Sequence, residues 1–269
     1  MPVLSEADAA ACGAALFEAE ATRTQIRMMT ADHPGMEMDD AYAIQAAFVQ
    51  RKLDAGGRIK GWKIGLTSKA MQYALGIDIP DSGILFEDMF FDHGGTVPDD
   101  RFIEPRIEAE IAFIMKTDLS GADVSRDDVI AATEAVAPAL EILDTRIYRA
   151  DPQSGATRTV LDTISDNAAN AGLVMGDMRH PVDAFDLRRV GAIVRRNDTV
   201  EETGLGAGVL DDPALSMAWL VHRLASYGDG LRAGDIVLSG SFVRPIEARH
   251  GDHFIADYGP FGTVDIAFA

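Results

Sequence analysis

Residues 103–115, IEPRIEAEIAFIM, set the tightest constraint in this 269-residue chain. Odd positions carry Ile103, Ile107, Ala109, Ile111 and Phe113. Even positions carry Glu104, Arg106, Glu108 and Glu110, then turn apolar at Ala112 and Ile114. A period of two is that of a β-strand, in which i, i+2 and i+4 share a face. Glu108 and Glu110 then point the same way, about 7 Å apart along the strand. A solvent face would not turn apolar at its end, so these carboxylates stand on a face that is entering a core. Glu141 poses the same problem in PALEILD, between Leu140 and Ile142 and with Ala139 and Leu143 on its own face. Burying a carboxylate alone is costly unless it is protonated, paired or bound to a cation.

Two arrangements answer that cost. In the first, Glu141 pairs with Arg106 or Arg146. In the second, Glu108, Glu110 and Glu141 converge on one cation. Three oxygen donors with no cysteine or adjacent histidine suit a hard ion, Mg²⁺ or Mn²⁺. About three of six octahedral positions would stay open, enough for a bidentate 2-oxo or 2-hydroxy acid. The E-x-E spacing alone is weak, since exposed strands produce it freely.

The surrounding chain predicts an α+β protein: a small helical N-terminal part over residues 1–60, then a mixed, β-rich body over 61–269. Residues 6–29 read as a helix. MDDAYAIQAAFVQRKLDAGG reads as a second one, with Asp39 or Asp40 as cap and Gly56 and Gly57 as stop. IKGWKIGLT is a short strand, SKAMQYALG one or two helical turns, and IPDSGILFEDMFF a loop entering a strand. SRDDVIAATEAV is a helix with Ser125 and Asp128 as a capping box. DLRRVGAIVRRNDTVEETG is a hairpin turning at Asn197–Asp198. DDPALSMAWLVHRLASYG is a helix with Pro213 in its first turn, and three strands close the chain.

Composition narrows the function. Net charge is −19, from 43 acidic residues against 24 Lys plus Arg. Such a surface repels nucleic acid and anionic membranes. Lys60, Lys63 and Lys69 nevertheless fall within ten residues, as a local anion site or a basic solvated turn would place them. Cys12 is the single cysteine, which excludes an intrachain disulfide and a thiolate metal cluster. The N-terminus lacks the features of a signal peptide and no apolar run is long enough to span a bilayer, so a cytoplasmic protein is expected. GLGAGVL imitates a dinucleotide loop but follows a hairpin, and HGDH reads as a strand-entry turn. No G-x-S-x-G elbow is present, against a serine hydrolase.

RIEAEIAF, PALEILDTR, GWKIGLTSKAMQ, TISDNAANAG and SGSFVRP occur in an order and spacing that resemble the 2-oxo-acid hydratase and 4-oxalocrotonate decarboxylase family. That family lies in the fumarylacetoacetate hydrolase superfamily, and the likeness runs from about residue 20 to the C-terminus. It implies that Glu108, Glu110 and Glu141 hold Mg²⁺ (or Mn²⁺) and that Lys63 and Asp81 are catalytic. Taken alone, Lys63 reads as a snorkelling strand lysine and Asp81 as a turn residue. Thr67, Ser165, Asn167 and Ser241 are added as substrate-binding candidates, although Ser165, Asp166 and Asn167 also suit a helix cap. The reaction implied is addition of water to a 2-hydroxy-2,4-dienoate, with the seven-carbon diacid of the homoprotocatechuate pathway favoured. Assembly into homo-oligomers, often decamers made of dimers, is implied as well. The alternatives are decarboxylation of 4-oxalocrotonate, hydrolysis of an acylpyruvate and a catalytically silent binding protein. His33 is the only histidine before residue 93, so the Glu–His lid of a hydrolase has no evident counterpart.

Overall fold

The computed structural model describes residues 3–75 and 77–269. Helix α1 (Glu6–Thr22) starts at Ser5, whose hydroxyl accepts the Asp8 N–H at 3.2 Å. It stops seven residues short of the expected end at 29, because Arg23 turns left-handed with φ 52. The chain then runs extended so that Ile26 bridges Ile147, and only Met29–Asp32 resume as α2. Thr30 is held there by its backbone N–H to Asp162 Oδ1 at 3.0 Å. These long-range bonds override the local helix preference. Helix α3 (Met38–Asp54) is capped by Glu37, not by Asp39 or Asp40. Asp40 instead accepts the backbone N–H groups of Glu37 and Leu4, both at 2.8 Å. Leu16, Ile44 and Phe48 of these helices share one core with Ile147 and Ile164 from the body.

The body alternates short elements. Strand β1 (Ile59–Gly65), α4 (Lys69–Leu75), β2 (Asp81–Phe86), β3 (Phe90–Phe91) and β4 (Gly95–Val97) come first. Gly76, the last residue of the expected SKAMQYALG turns, lies outside the described residues. Strand β5 (Arg106–Met115), α5 (Arg126–Ala132), β6 (Thr133–Leu143), α6 (Val160–Ser165) and β7 (Asn170–Met175) follow. The chain continues through β8 (Gly191–Arg196), β9 (Thr199–Leu205), α7 (Pro213–Ala225) and β10 (Ile236–Leu238). It ends with β11 (Ile246–Glu247), β12 (His253–Asp257) and β13 (Thr263–Phe268). The β8–β9 hairpin turns where expected, with Asn197 and Asp198 at φ 49 and 68, the two left-handed residues of a tight hairpin turn.

An eight-stranded sheet runs β2-β1-β10-β5-β6-β7-β3, with β11 also beside β5, and a five-stranded sheet runs β4-β13-β12-β8-β9. Ile107, Ile111 and Phe113 of β5 enter the main core with Phe254, Val264 and Ile266 of the smaller sheet. The opposite face of β5, which carries Glu108 and Glu110, turns away from that core. The larger sheet curls back on itself there. Asn167, just before β7, accepts the Ile84 N–H at 2.8 Å and donates to the Ile84 carbonyl at 2.9 Å. Its amide thus links β2 to the other end of the strand order as a neighbouring strand would. Among the described residues no helix is long and apolar enough to cross a membrane.

Candidate active site

The β5–β6 ladder sets Glu108 directly opposite Glu141 and Glu110 opposite Ala139. All three carboxylates therefore share a face, and one oxygen from each lies within 4.8 Å of the others. Tyr258 fastens this stretch: its hydroxyl accepts the Glu110 N–H at 3.1 Å and donates to the Ala139 carbonyl at 2.6 Å. Gly240 donates its N–H to Glu110 Oε2 at 2.7 Å. It does so at φ +118, where an added Cβ would stand 2.4 Å from Thr67 Oγ1, so both backbone and space require glycine. Neither arginine considered for Glu141 reaches it. Arg146 is bound to Asp166 at 2.5 Å, and Arg106 approaches Glu247 at 3.7 Å.

The cation beside Glu141 is Lys63, whose Nζ lies 3.3 Å from Glu141 Oε1. Lys60 and Lys69 are exposed, so Lys63 alone of the three clustered lysines enters the site. The antiparallel β1–β2 register pairs Lys63 with Gly83 and Gly65 with Asp81, which brings Asp81 onto the same wall. A Cβ on Gly65 would sit 2.1 Å from Asp81 Oδ1 and 3.0 Å from Lys63 Nζ. The missing side chain is the space in which these two groups meet. Lys63 also donates to the Ala168 carbonyl at 3.1 Å. That carbonyl is presented by three successive left-handed residues, Asn167, Ala168 and Ala169, at φ 51, 52 and 58. Strain of this kind is held only by surrounding structure. Here Arg146 supplies it, donating to the carboxylate and, at 2.6 Å, to the carbonyl of Asp166.

The electrostatics of the pocket call for a cation. Burial and then repulsion from Glu141 push Glu108 up to about 8. Burial and the neighbouring glutamates push Glu110 well above the usual carboxylate range. Burial also raises Glu141 and Asp81, with Lys63 opposing in both. For Lys63, burial works against the charge, but Glu141, Asp81, Glu108 and Glu110 outweigh it and hold the ammonium above its ordinary value. Four carboxylates thus face a single ammonium. Glu110 Oε1 and both oxygens of Glu141 are buried without a hydrogen-bond partner among the described residues. Unbonded oxygens in an all-carboxylate set fit a hard divalent cation.

Beside this cluster lies a cavity of about 480 Å³. Lys63, Asp81, Glu108, Thr67 and Ser241 line it. Ser165 and Asn167 are not among its lining residues. The Ser165 hydroxyl bonds back to the Leu161 carbonyl at 2.8 Å, and the Asn167 amide is occupied by Ile84. Sequence reasoning missed Arg106, Arg149, Arg158 and Arg244 as cavity-lining residues. It also missed Gly65, Gly240 and Tyr258, whose roles come from partners distant in the chain.

The curled sheet and its carboxylate cluster define a class. A profile of the fumarylacetoacetate (FAA) hydrolase C-terminal family matches residues 65–267, and the chain belongs to that family. Within it, a 2-oxo-hept-4-ene-1,7-dioate hydratase of Escherichia coli is 49% identical over 253 residues, 94% of this chain and 95% of the relative. A 2-hydroxyhexa-2,4-dienoate hydratase of Comamonas testosteroni is 36% identical over 95% of this chain and 96% of the relative. The solved 4-oxalocrotonate decarboxylase of Pseudomonas putida G7, complexed with magnesium and adipate, superposes with a TM-score of 0.94 at 31% identity and covers 100% of both chains.

Proposed function

We propose that this protein is a divalent-metal-dependent hydratase that adds water to a 2-hydroxy-2,4-dienoate, giving a 4-hydroxy-2-oxo acid. The observation that carries this is the Glu108–Glu110–Glu141 cluster, in which Glu110 Oε1 and both Glu141 oxygens are buried without a hydrogen-bond partner among the described residues, beside the cavity that Glu108 lines with Lys63 and Asp81. Held by those three glutamates, Mg²⁺ would supply Lewis acidity to the 2-oxygen of a chelating substrate. Lys63 and Asp81 form the proton-transfer pair. Asp81, whose Oδ1 has no hydrogen-bond partner among the described residues, accepts the 2-hydroxyl proton. The Lys63 ammonium, anchored by the Ala168 carbonyl, delivers a proton to carbon 5. The resulting 3,4-alkene is conjugated to the 2-ketone and takes up water at carbon 4. No step needs a covalent nucleophile. Thr67 and Ser241 supply hydroxyls to the cavity wall, and the 49% identity to a hydratase across nearly the whole chain supports the same reading.

The test is absorbance. Purified protein with Mg²⁺ should bleach the dienoate chromophore, chelation by EDTA should stop it, and added Mg²⁺ should restore it. Absence of bleaching for every dienoate tried would overturn the assignment. Decarboxylation is the second reading, favoured by the TM-score of 0.94 to the decarboxylase; released CO₂ would identify it. The proposal includes self-assembly, for which Ile193, Val200 and Leu205 leave an apolar outer face on the β8–β9 hairpin. Sedimentation at a monomer mass would refute that part.

A further inference from the structure

Four arginines, Arg106, Arg149, Arg158 and Arg244, line the active-site cavity in a chain of net charge −19, and the first three influence one another's charge. These three are placed by backbone. Arg158 donates its N–H to the Arg149 carbonyl at 3.0 Å, next to a bridge between Ala150 and Thr157. The loop between them is tied down by Asp151, which accepts the N–H groups of Gln153 and Ser154 at 2.9 and 2.7 Å. Arg106 stands on the face of β5 that carries Glu108 and Glu110, one strand repeat beyond Glu108.

Their counter-charges do not match them. Arg149 meets Glu104 at 3.3 Å and Arg106 meets Glu247 at 3.7 Å, and both glutamates are about half exposed, at 51% and 55%. Arg158 has no ion pair among the described residues; its Nη1 donates to Thr145 Oγ1 at 2.6 Å. Thr145 in turn donates to the Ile147 carbonyl at 2.5 Å, which aims the guanidinium. Burial and then repulsion from Arg158 and Arg106 lower Arg149 to about 10. Burial also lowers Arg158, with Arg106 and Arg146 adding to it and Asp166 opposing.

We infer that Arg158, assisted by Arg149 and Arg106, receives the far carboxylate of an α,ω-dicarboxylate substrate, so that the cavity selects diacids over monoacids. This rests on the metal-side reading of the three glutamates for the near end of the substrate. Six carbon–carbon bonds of about 1.5 Å give a seven-carbon diacid an extended reach of roughly 7–8 Å, comparable with the advance of about 7 Å along β5 from Glu108 to Arg106, which assists Arg158. A guanidinium fork suits a carboxylate acceptor, and a partly desolvated cation gains most from a charged partner.

The experiment compares kcat/KM for 2-hydroxyhepta-2,4-diene-1,7-dioate and 2-hydroxypenta-2,4-dienoate in wild type and Arg158→Met. The diacid-to-monoacid ratio should fall roughly ten- to a hundredfold, the worth of a hydrogen-bonded charge pair. Arg149→Met, whose guanidinium already has Glu104 as partner, should lower the ratio by less and serves if Arg158→Met does not fold. Arg244→Met should hold the ratio, because Arg244, though it lines the cavity too, is paired with Glu202 at 2.5 Å. Calorimetry with 2-oxoheptanedioate and 2-oxopentanoate in Mg²⁺ reads the same preference without turnover. A preference in wild type that Arg158→Met abolishes supports the inference even if neither dienoate reacts. An unchanged ratio, an equal loss for both chain lengths, or a ratio lost in Arg244→Met instead overturns it.

Discussion

Glu108 and Glu141 face each other directly across the β5–β6 ladder, a register in which like charges ordinarily destabilise a sheet. Lys63, 3.3 Å from Glu141, offsets part of that repulsion, but one ammonium is shared among Glu108, Glu110, Glu141 and Asp81. The sheet therefore concentrates negative charge where a cation relieves it. Replacing Glu141 by Gln keeps the shape and removes one charge. Mg²⁺ affinity should fall at least tenfold by calorimetry, while the metal-free melting temperature holds or rises. Mg²⁺ at a hundred times Kd should stabilise the wild type by about 2.7 kcal/mol, an increment that a tenfold weaker variant should cut to about 1.4 kcal/mol or less at the same concentration. Unchanged Mg²⁺ binding would remove Glu141 from the site.

Gly65 is the cheapest route to Asp81. Its backbone is not left-handed, so Gly65→Ala strains no torsion, yet the new Cβ would overlap Asp81 Oδ1. The displaced carboxylate should lower kcat about as far as Asp81→Asn does, with the far-ultraviolet circular dichroism of wild type. Wild-type turnover in Gly65→Ala would separate Asp81 from catalysis.

Asn167 is expected to matter through stability. Asn167→Ala leaves the buried Ile84 N–H without its acceptor and puts alanine at φ 51, for a combined cost of about 2–4 kcal/mol. Denaturant unfolding reads this directly. KM should change little in the protein that remains folded. A raised KM at wild-type stability would return Asn167 to the substrate.

What could be read in the chain followed local rules. The period of two in RIEAEIAFIM placed Glu108 and Glu110 on one face, and Asn197–Asp198 marked a hairpin without knowledge of its partners. Asn167 could not be read this way, because its role depends on Ile84, 83 residues away. The early end of α1 likewise depends on Ile26 meeting Ile147. Arg149 and Arg158 are brought together by a bridge between Ala150 and Thr157 that lacks the apolar alternation of a strand. Ser165 and Asn167 were singled out through the resemblance, and the partners their side chains take, Leu161 and Ile84, follow from the fold.

Lys63→Met removes the ammonium and keeps the length of the side chain. Turnover should drop by about two to four powers of ten, the usual range for a general acid. Mg²⁺ binding should persist or tighten, since a positive charge leaves the neighbourhood of Glu141. Turnover within a few-fold of wild type would return Lys63 to a structural role, as the counter-ion of Glu141.

The most direct test is the mass of the product formed from 2-hydroxyhepta-2,4-diene-1,7-dioate with Mg²⁺ present. Hydration keeps every carbon and adds one water, so the product should be 4-hydroxy-2-oxoheptanedioate, formed by wild type and abolished in Glu141→Gln. A product that has lost carbon dioxide, or unchanged substrate in the presence of the metal-loaded protein, would contradict the account.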